Sequence, residues 1–217
     1  MPNGWEELFS PRFAELAHLD AELAKIGPFY PFVYDVFNTY YFLRPENIRV
    51  VIIGQDPYHS SDNFNNPIAM GLSFSVRRGI DIPPSLKTVF KEIQEDLGIA
   101  RPRHGDLTSW VFRGVFLLNT SLTVKPDEPK SHGDRWMTIV RPTLQHITVK
   151  SPKAIFLLWG AEAQKLKKYL GDARILEAGH PSTMNRTRPF AGCKHFSQVN
   201  NLLIKDGGEP IDWSLPA

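Results

Sequence analysis

The 217-residue sequence predicts a single α/β domain: a central, four-stranded, mainly parallel sheet flanked by helices on both faces. Two observations carry this. Four short apolar, β-branched segments recur at Ile48–Ile53, Val115–Asn119, Ala154–Trp159 and Arg174–Ala178. Each has strand length and is apolar enough to be buried on both faces, as parallel strands between helix layers must be. Helix-like stretches separate them, and strands alternating with helices imply right-handed crossovers.

Taken in order, Pro11–Lys25 and Tyr30–Tyr41 are expected as helices ahead of the first strand. Pro84–Leu97 sets Leu86, Val89, Phe90, Ile93 and Leu97 at three- and four-residue spacing, the stripe of an amphipathic helix. Ser109–Arg113 leads into the second strand, Arg135–Ile147 follows it, Ala161–Leu170 joins the third to the fourth, and His195–Lys205 closes the chain as a last helix. No repeat, low-complexity tract or linker-like run divides the sequence, so residues 1–217 are read as one domain.

Composition narrows the class. A hydrophobic fraction of 42% with 12% aromatics argues against disorder. No apolar run reaches transmembrane length, and the N-terminus carries Glu6 and Glu7 and has no basic-then-apolar leader. An intracellular protein without membrane attachment is expected: cytoplasmic if bacterial, in the nucleus or host cell if eukaryotic or viral. The single cysteine, Cys193, can form no internal disulfide, and no cysteine cluster could hold zinc or an iron–sulfur centre. No metal and no cofactor is expected. The net charge of +2 is mildly basic, but Arg186 through Lys205 contains four Lys or Arg residues and no acid, a local hint of a polyanion partner.

In open parallel sheets the ligand crevice lies beyond the carboxyl ends of the strands. The first strand runs into Gly54-Gln55-Asp56-Pro57-Tyr58-His59, the second ends at Asn119, the third leads to Gly160-Ala161, and the fourth to Gly179-His180-Pro181-Ser182. Asp56, Asn119 and His180 thus fall on one rim. A carboxylate there can stabilise a cation, an amide can read an amide-like edge, and an imidazole can donate a hydrogen bond. Each also has an ordinary structural reading: Asp before Pro forms turns, Asn at a strand end caps or closes a turn, and a Gly-His-Pro histidine is often a half-buried loop residue. Spacing alone names no reaction. There is no G-x-S-x-G elbow, no G-x-x-x-x-G-K-[ST] phosphate loop and no H-E-x-x-H metal site, which argues against other α/β hydrolases.

The ordered set GQDPYH (Gly54–His59), GLSFSV (Gly71–Val76), IPPSL (Ile82–Leu86), HGDLTSW (His104–Trp110), GVFLLNTSLTV (Gly114–Val124), SHGDRW (Ser131–Trp136), IFLLWG (Ile155–Gly160), HPS (His180–Ser182), GCKHFSQVNNLL (Gly192–Leu203) and PIDW (Pro210–Trp213) resembles the family-1 uracil-DNA glycosylases along nearly the whole chain. The resemblance implies hydrolysis of the N-glycosidic bond of a flipped-out deoxyuridine in base excision repair, leaving an abasic site. It implies that Asp56 stabilises the oxocarbenium-like sugar and orients or deprotonates the attacking water, that His59 helps place that water, and that neutral His180 donates to uracil O2. Phe74 would stack on uracil, Asn119 would read O4 and N3–H, Tyr58 would exclude the thymine methyl, and Gln55 would add a uracil contact. Ser85, Ser182, Arg188 and Lys194 would hold the DNA backbone, and Met184 would enter the vacated stack. Ser85 also reads as a helix N-cap.

The partner implied is uracil-containing DNA, single- or double-stranded, acted on by a monomer; a proteinaceous inhibitor or replication partner is left open. A catalytically weak DNA-binding or complex-scaffolding relative of the same fold is the alternative. Three departures from the family pattern stand out. Met184 replaces the usual Leu, Ala161 replaces a phosphate-contacting Ser, and Ser60–Met70 is longer than usual and rich in loop-forming residues.

Overall fold

The computed structural model describes residues 1–182 and 190–216. Four strands, β1 (Val50–Gly54), β2 (Val115–Asn119), β3 (Ile155–Trp159) and β4 (Arg174–Ala178), form one sheet in the order β2-β1-β3-β4. Every pair is parallel. Eight helices accompany them among the described residues: α1 (Glu6–Phe9), α2 (Phe13–Ile26), α3 (Asn38–Phe42), α4 (Pro84–Leu97), α5 (Thr108–Phe112), α6 (Met137–Lys150), α7 (Ala161–Gln164) and α8 (His195–Lys205).

The register sorts the core into two layers. Val51, Phe116, Phe156 and Ile175 lie side by side across the four strands and share one face; Trp159, three residues on from Phe156, points to the other. Trp5 and Tyr40 pack on Phe116, with ring centroids 5.3 and 5.2 Å away. Tyr40 and Thr143 then link α3 to α6 through a 3.0 Å hydroxyl bond. On the opposite face Phe196 of α8 lies 6.1 Å from Trp159, and Trp213 of the C-terminal segment lies 5.0 Å from Phe196. The strands β1, β2 and β3 are buried throughout, so their apolar runs each fill both layers.

Several expectations need correction. The helix expected over Tyr30–Tyr41 is a 3₁₀ turn at Val33–Asp35 followed by the short α3. Tyr30 instead bonds in extended form to Val124, its N–H donating at 2.8 Å and its carbonyl accepting at 2.9 Å, and Pro31 supplies no N–H to a helix. Ala161–Leu170 begins as α7 but tightens to a 3₁₀ helix over Lys165–Tyr169. The helix expected at Arg135–Ile147 starts as a 3₁₀ turn (Gly133–Trp136) and extends to Lys150. The strand β4 is not buried on both faces: Arg174 through Leu176 are half-buried and Glu177 is exposed, whereas β2 at the other edge of the sheet is buried throughout. Finally, Ser85 is not an N-cap. Pro83 occupies that place and makes no side-chain cap.

Candidate active site

Register places the site. Gly54 pairs with Asn119 and Trp159 pairs with Ala178, so the carboxyl ends of all four strands meet one rim. The first turn beyond β1 is sewn to the turn beyond β2. Thr120 N–H donates to Gly54 O at 3.0 Å and Ser121 N–H to Gln55 O at 3.1 Å. Thr120 Oγ1 also donates to Gln55 O at 2.8 Å.

These bonds hold Asp56 in place. Its Oδ2 accepts from Gln55 Nε2 at 2.8 Å and from the backbone N–H of Lys130 at 3.1 Å. Two donors on one oxygen fix the direction of the carboxylate. Nearby, His59 has a buried Nδ1 that bonds to no described protein group.

Asn119 is buried, 6% exposed, and no hydrogen bond within the described residues claims its amide. It lies directly over Gly54, where a Cβ would strike Asn119 Oδ1 and come within 3.3 Å of the Phe74 ring. Glycine at this position therefore lets the amide and the ring share one space. Phe74 has φ +64, the left-handed region. Its neighbour Ser73 anchors it, donating N–H to Leu117 O at 3.2 Å and Oγ to Ile52 O at 3.3 Å. Tyr58 braces the same residue: its hydroxyl donates to Phe74 O at 3.1 Å and meets Ser85 Oγ at 3.2 Å. Burial pushes the Tyr58 phenol pKa up, so it stays a neutral hydroxyl.

His180 faces this group from the β4 side, its ring 6.1 Å from Phe74. Ser182 N–H donates to His180 Nδ1 at 3.1 Å. An Nδ1 that accepts must be unprotonated, so the ring proton sits on Nε2 and that nitrogen is a donor. Burial holds the imidazole pKa below its ordinary value, which favours the uncharged ring. Gly160 makes room for it: a Cβ there would lie 2.9 Å from His180 Cβ.

The site therefore joins a fixed carboxylate, a buried unclaimed amide, an aromatic face and a neutral imidazole donor. Such a set can grip a flat heterocycle and stabilise positive charge beside it. The family model of the uracil DNA glycosylase superfamily matches residues 41–204. The chain belongs to this superfamily. A uracil-DNA glycosylase of Desulfitobacterium hafniense is 39% identical over 99% of this chain and 97% of its own length. One from Yersinia enterocolitica is 43% identical over 96% and 91%. The crystal structure of mimivirus uracil-DNA glycosylase superposes with a TM-score of 0.89 at 28% identity, covering 99% of this chain and 87% of that one. A variant of the mimivirus UNG, solved in complex with UGI, gives a TM-score of 0.91 at 27% identity, with 99% and 89% covered.

Among the glycosylase positions named from sequence, Gln55, Asp56, Tyr58, His59, Phe74, Ser85, Asn119, His180 and Ser182 come to this rim. Lys194 stands apart from those contacts, exposed ahead of α8 with φ +51, its N–H donating to Glu92 Oε1 at 2.8 Å. Met184 and Arg188 lie outside the described residues. Ala161, the departure from the serine pattern, is the exposed first residue of α7.

Sequence reading overlooked the supports. Thr120, Ser73 and the Lys130 N–H hold the site residues, and Trp159 backs Phe74 with its ring 5.5 Å away. Thr120 and Ser73 adjoin motif residues, which was the available signal. Nothing local marks the Lys130 backbone, which reaches Asp56 across 74 residues of sequence.

Proposed function

We propose that the protein hydrolyses the N-glycosidic bond of a deoxyuridine swung out of DNA, releasing uracil and leaving an abasic site. The observation that carries this reading is His180. Its Nδ1 is occupied by the Ser182 N–H, which leaves Nε2–H as an uncharged donor on a ring whose centroid lies 6.1 Å from that of Phe74.

As the bond from sugar to base breaks, positive charge gathers on the sugar and negative charge on the base. Asp56, held by two donors, stabilises the first and orients the water that ends on the sugar carbon. His180 Nε2–H stabilises the second at uracil O2 without having to lose its proton. His59 helps place the water, and Gln55 holds Asp56 while bordering the base. Asn119 accepts from N3–H and donates to O4, a pattern cytosine reverses; mismatched buried groups of this kind reject a substrate by roughly 10⁴-fold. Phe74 stacks on the ring, and Tyr58, braced by Phe74 O and Ser85, stands where a thymine methyl would go.

DNA in either single- or double-stranded form fits this reading, with the duplex also paying to unstack the base. Ser85 and Ser182 contact the backbone beside the pocket, Arg188 and Lys194 add positive charge, and Met184 fills the vacated stack. The enzyme acts as a monomer without cofactor, inside the cell that holds its substrate. The UGI complex of the mimivirus relative supports docking of a proteinaceous inhibitor on the same fold.

The test is release of uracil from a uracil-containing oligonucleotide, read as strand cleavage after alkali. Wild type should produce abasic sites, and Asp56→Asn should lose roughly 10²–10³-fold or more in turnover while still binding uracil DNA. Binding without abasic sites at micromolar wild-type protein would instead favour the scaffolding relative.

A further inference from the structure

The extended segment Ser60–Met70 is an ordered device, and its apex is aromatic. Its base is fixed on the rim of the site. His59 O accepts from Asp127 N–H at 2.8 Å, and Asn38 Nδ2 donates to Met70 O at 2.9 Å. Gly71 packs so closely on Asp35 that a Cβ there would overlap the Asp35 carbonyl. Above the base, Ser61 bridges Pro67 and Ile68 N–H donates to Ser60 O at 3.2 Å.

At the tip Asp62 closes the turn on itself. Its Oδ1 accepts the N–H groups of Phe64 and Asn66, each at 2.8 Å, and its Oδ2 accepts Asn66 Nδ2 at 3.3 Å. Asp62 N–H returns a bond to Asn66 O at 2.8 Å, and Asn65 adopts φ +61 to complete the reversal. The result holds Phe64 84% exposed, further into water than any other large apolar side chain among the described residues.

We propose that Phe64 is a DNA contact whose ring stacks on an unpaired base of the strand next to the nucleotide held in the site. The inference rests on the glycosylase reading above, since it supplies the DNA strand. Every base offers a flat π face, so an aromatic platform is tolerant of sequence. A closed polar turn exposes the ring without requiring that it order on contact, which spares part of the entropy of binding. The one carboxylate of the segment, Asp62, is engaged by three donors of its own turn, so its part is to shape the turn that presents the ring. Bases inside a duplex are already stacked, so the gain falls mainly on single-stranded DNA.

The experiment is fluorescence anisotropy with a labelled, uracil-free single-stranded oligonucleotide of mixed sequence, run beside its duplex. Phe64→Ala should weaken single-strand binding by roughly tenfold and duplex binding by less. Phe64→Leu should resemble Ala because it is apolar but not flat, whereas Phe64→Trp should bind as wild type does. Unchanged affinity for Phe64→Ala, full affinity for Phe64→Leu, or no single-strand binding by wild type would each overturn the inference. Uracil release measured on the same proteins separates the two readings. Wild type that binds but releases no uracil sinks the glycosylase reading alone; active wild type with an unaltered Phe64→Ala affinity sinks only the stacking.

Discussion

The two edges of the sheet are built to opposite standards, and the site spans both. The edge at β2 is covered: all five residues are buried, Thr39 Oγ1 accepts the Leu117 N–H at 3.2 Å, and Leu117 O accepts the Ser73 N–H at 3.2 Å. The edge at β4 is open and carries charge. Arg174 pairs with Asp206 at 2.6 Å and Glu177 with Lys167 at 2.8 Å. Charged side chains on an exposed strand discourage pairing with another chain. Covering the β2 edge does more than protect it. The segment that satisfies Leu117 is the one that carries Phe74, so the cover sets the Phe74 ring beside Asn119. The pair proposed to read the base thus sits at the covered edge, while His180 hangs from the exposed one, oriented by Ser182 and seated against Gly160.

The largest expected effect breaks the covered edge at its tightest point. Gly54→Ala forces a methyl against Asn119 Oδ1 and the Phe74 ring, and kcat/KM for uracil release should fall by roughly 10²–10³-fold. A variant within threefold of wild type would show that this crowding does not set recognition. On the β4 side, His195 receives the Trp159 Nε1–H at 3.0 Å, and burial lowers its pKa from 6.5 to about 4. Above pH 6.5 both folded and unfolded forms are neutral there. Between 6.5 and about 4 only the unfolded chain takes the proton, so stability falls as pH falls, by about 3 kcal/mol in all. His195→Gln should flatten that decline, seen in urea midpoints at pH 7 and 4.5; an unchanged decline would place the titration elsewhere.

Thr39→Val should cost about 1–3 kcal/mol, because it leaves the buried Leu117 N–H without its acceptor. Chemical denaturation measures it, and a neutral result would mean that the β2 cover is not needed for stability. Smallest is the open edge itself: Glu177→Gln removes a solvent-exposed pair and should change stability by less than about 1 kcal/mol. A larger loss would make β4 as tightly specified as β2.

Much of the site was legible because its residues follow strands whose apolar runs are unmistakable. Asp56, Asn119 and His180 could be set on one rim from pattern alone, and the motif set gathered Tyr58, Phe74 and Ser85 around them. The Tyr30–Tyr41 helix failed because periodicity cannot weigh a long-range bond between Tyr30 and Val124. The supposed cap at Ser85 failed for a related reason: its hydroxyl goes to Tyr58, a partner 27 residues away, and the helix begins at Pro84.

What the order of residues determined by itself is the alternation of buried strands with helices and the identity of the groups at each strand end, since both follow from side-chain period and chain connectivity. Only the folded molecule decided how those groups act. The Nδ1 of His180 is claimed by a backbone N–H, Asp56 is gripped by Lys130, and Phe74 is set beside Asn119 by the cover of an edge strand. Hydrogen bonds and close approaches of this kind depend on distances of a few tenths of an ångström between segments far apart in the chain, which no local pattern encodes.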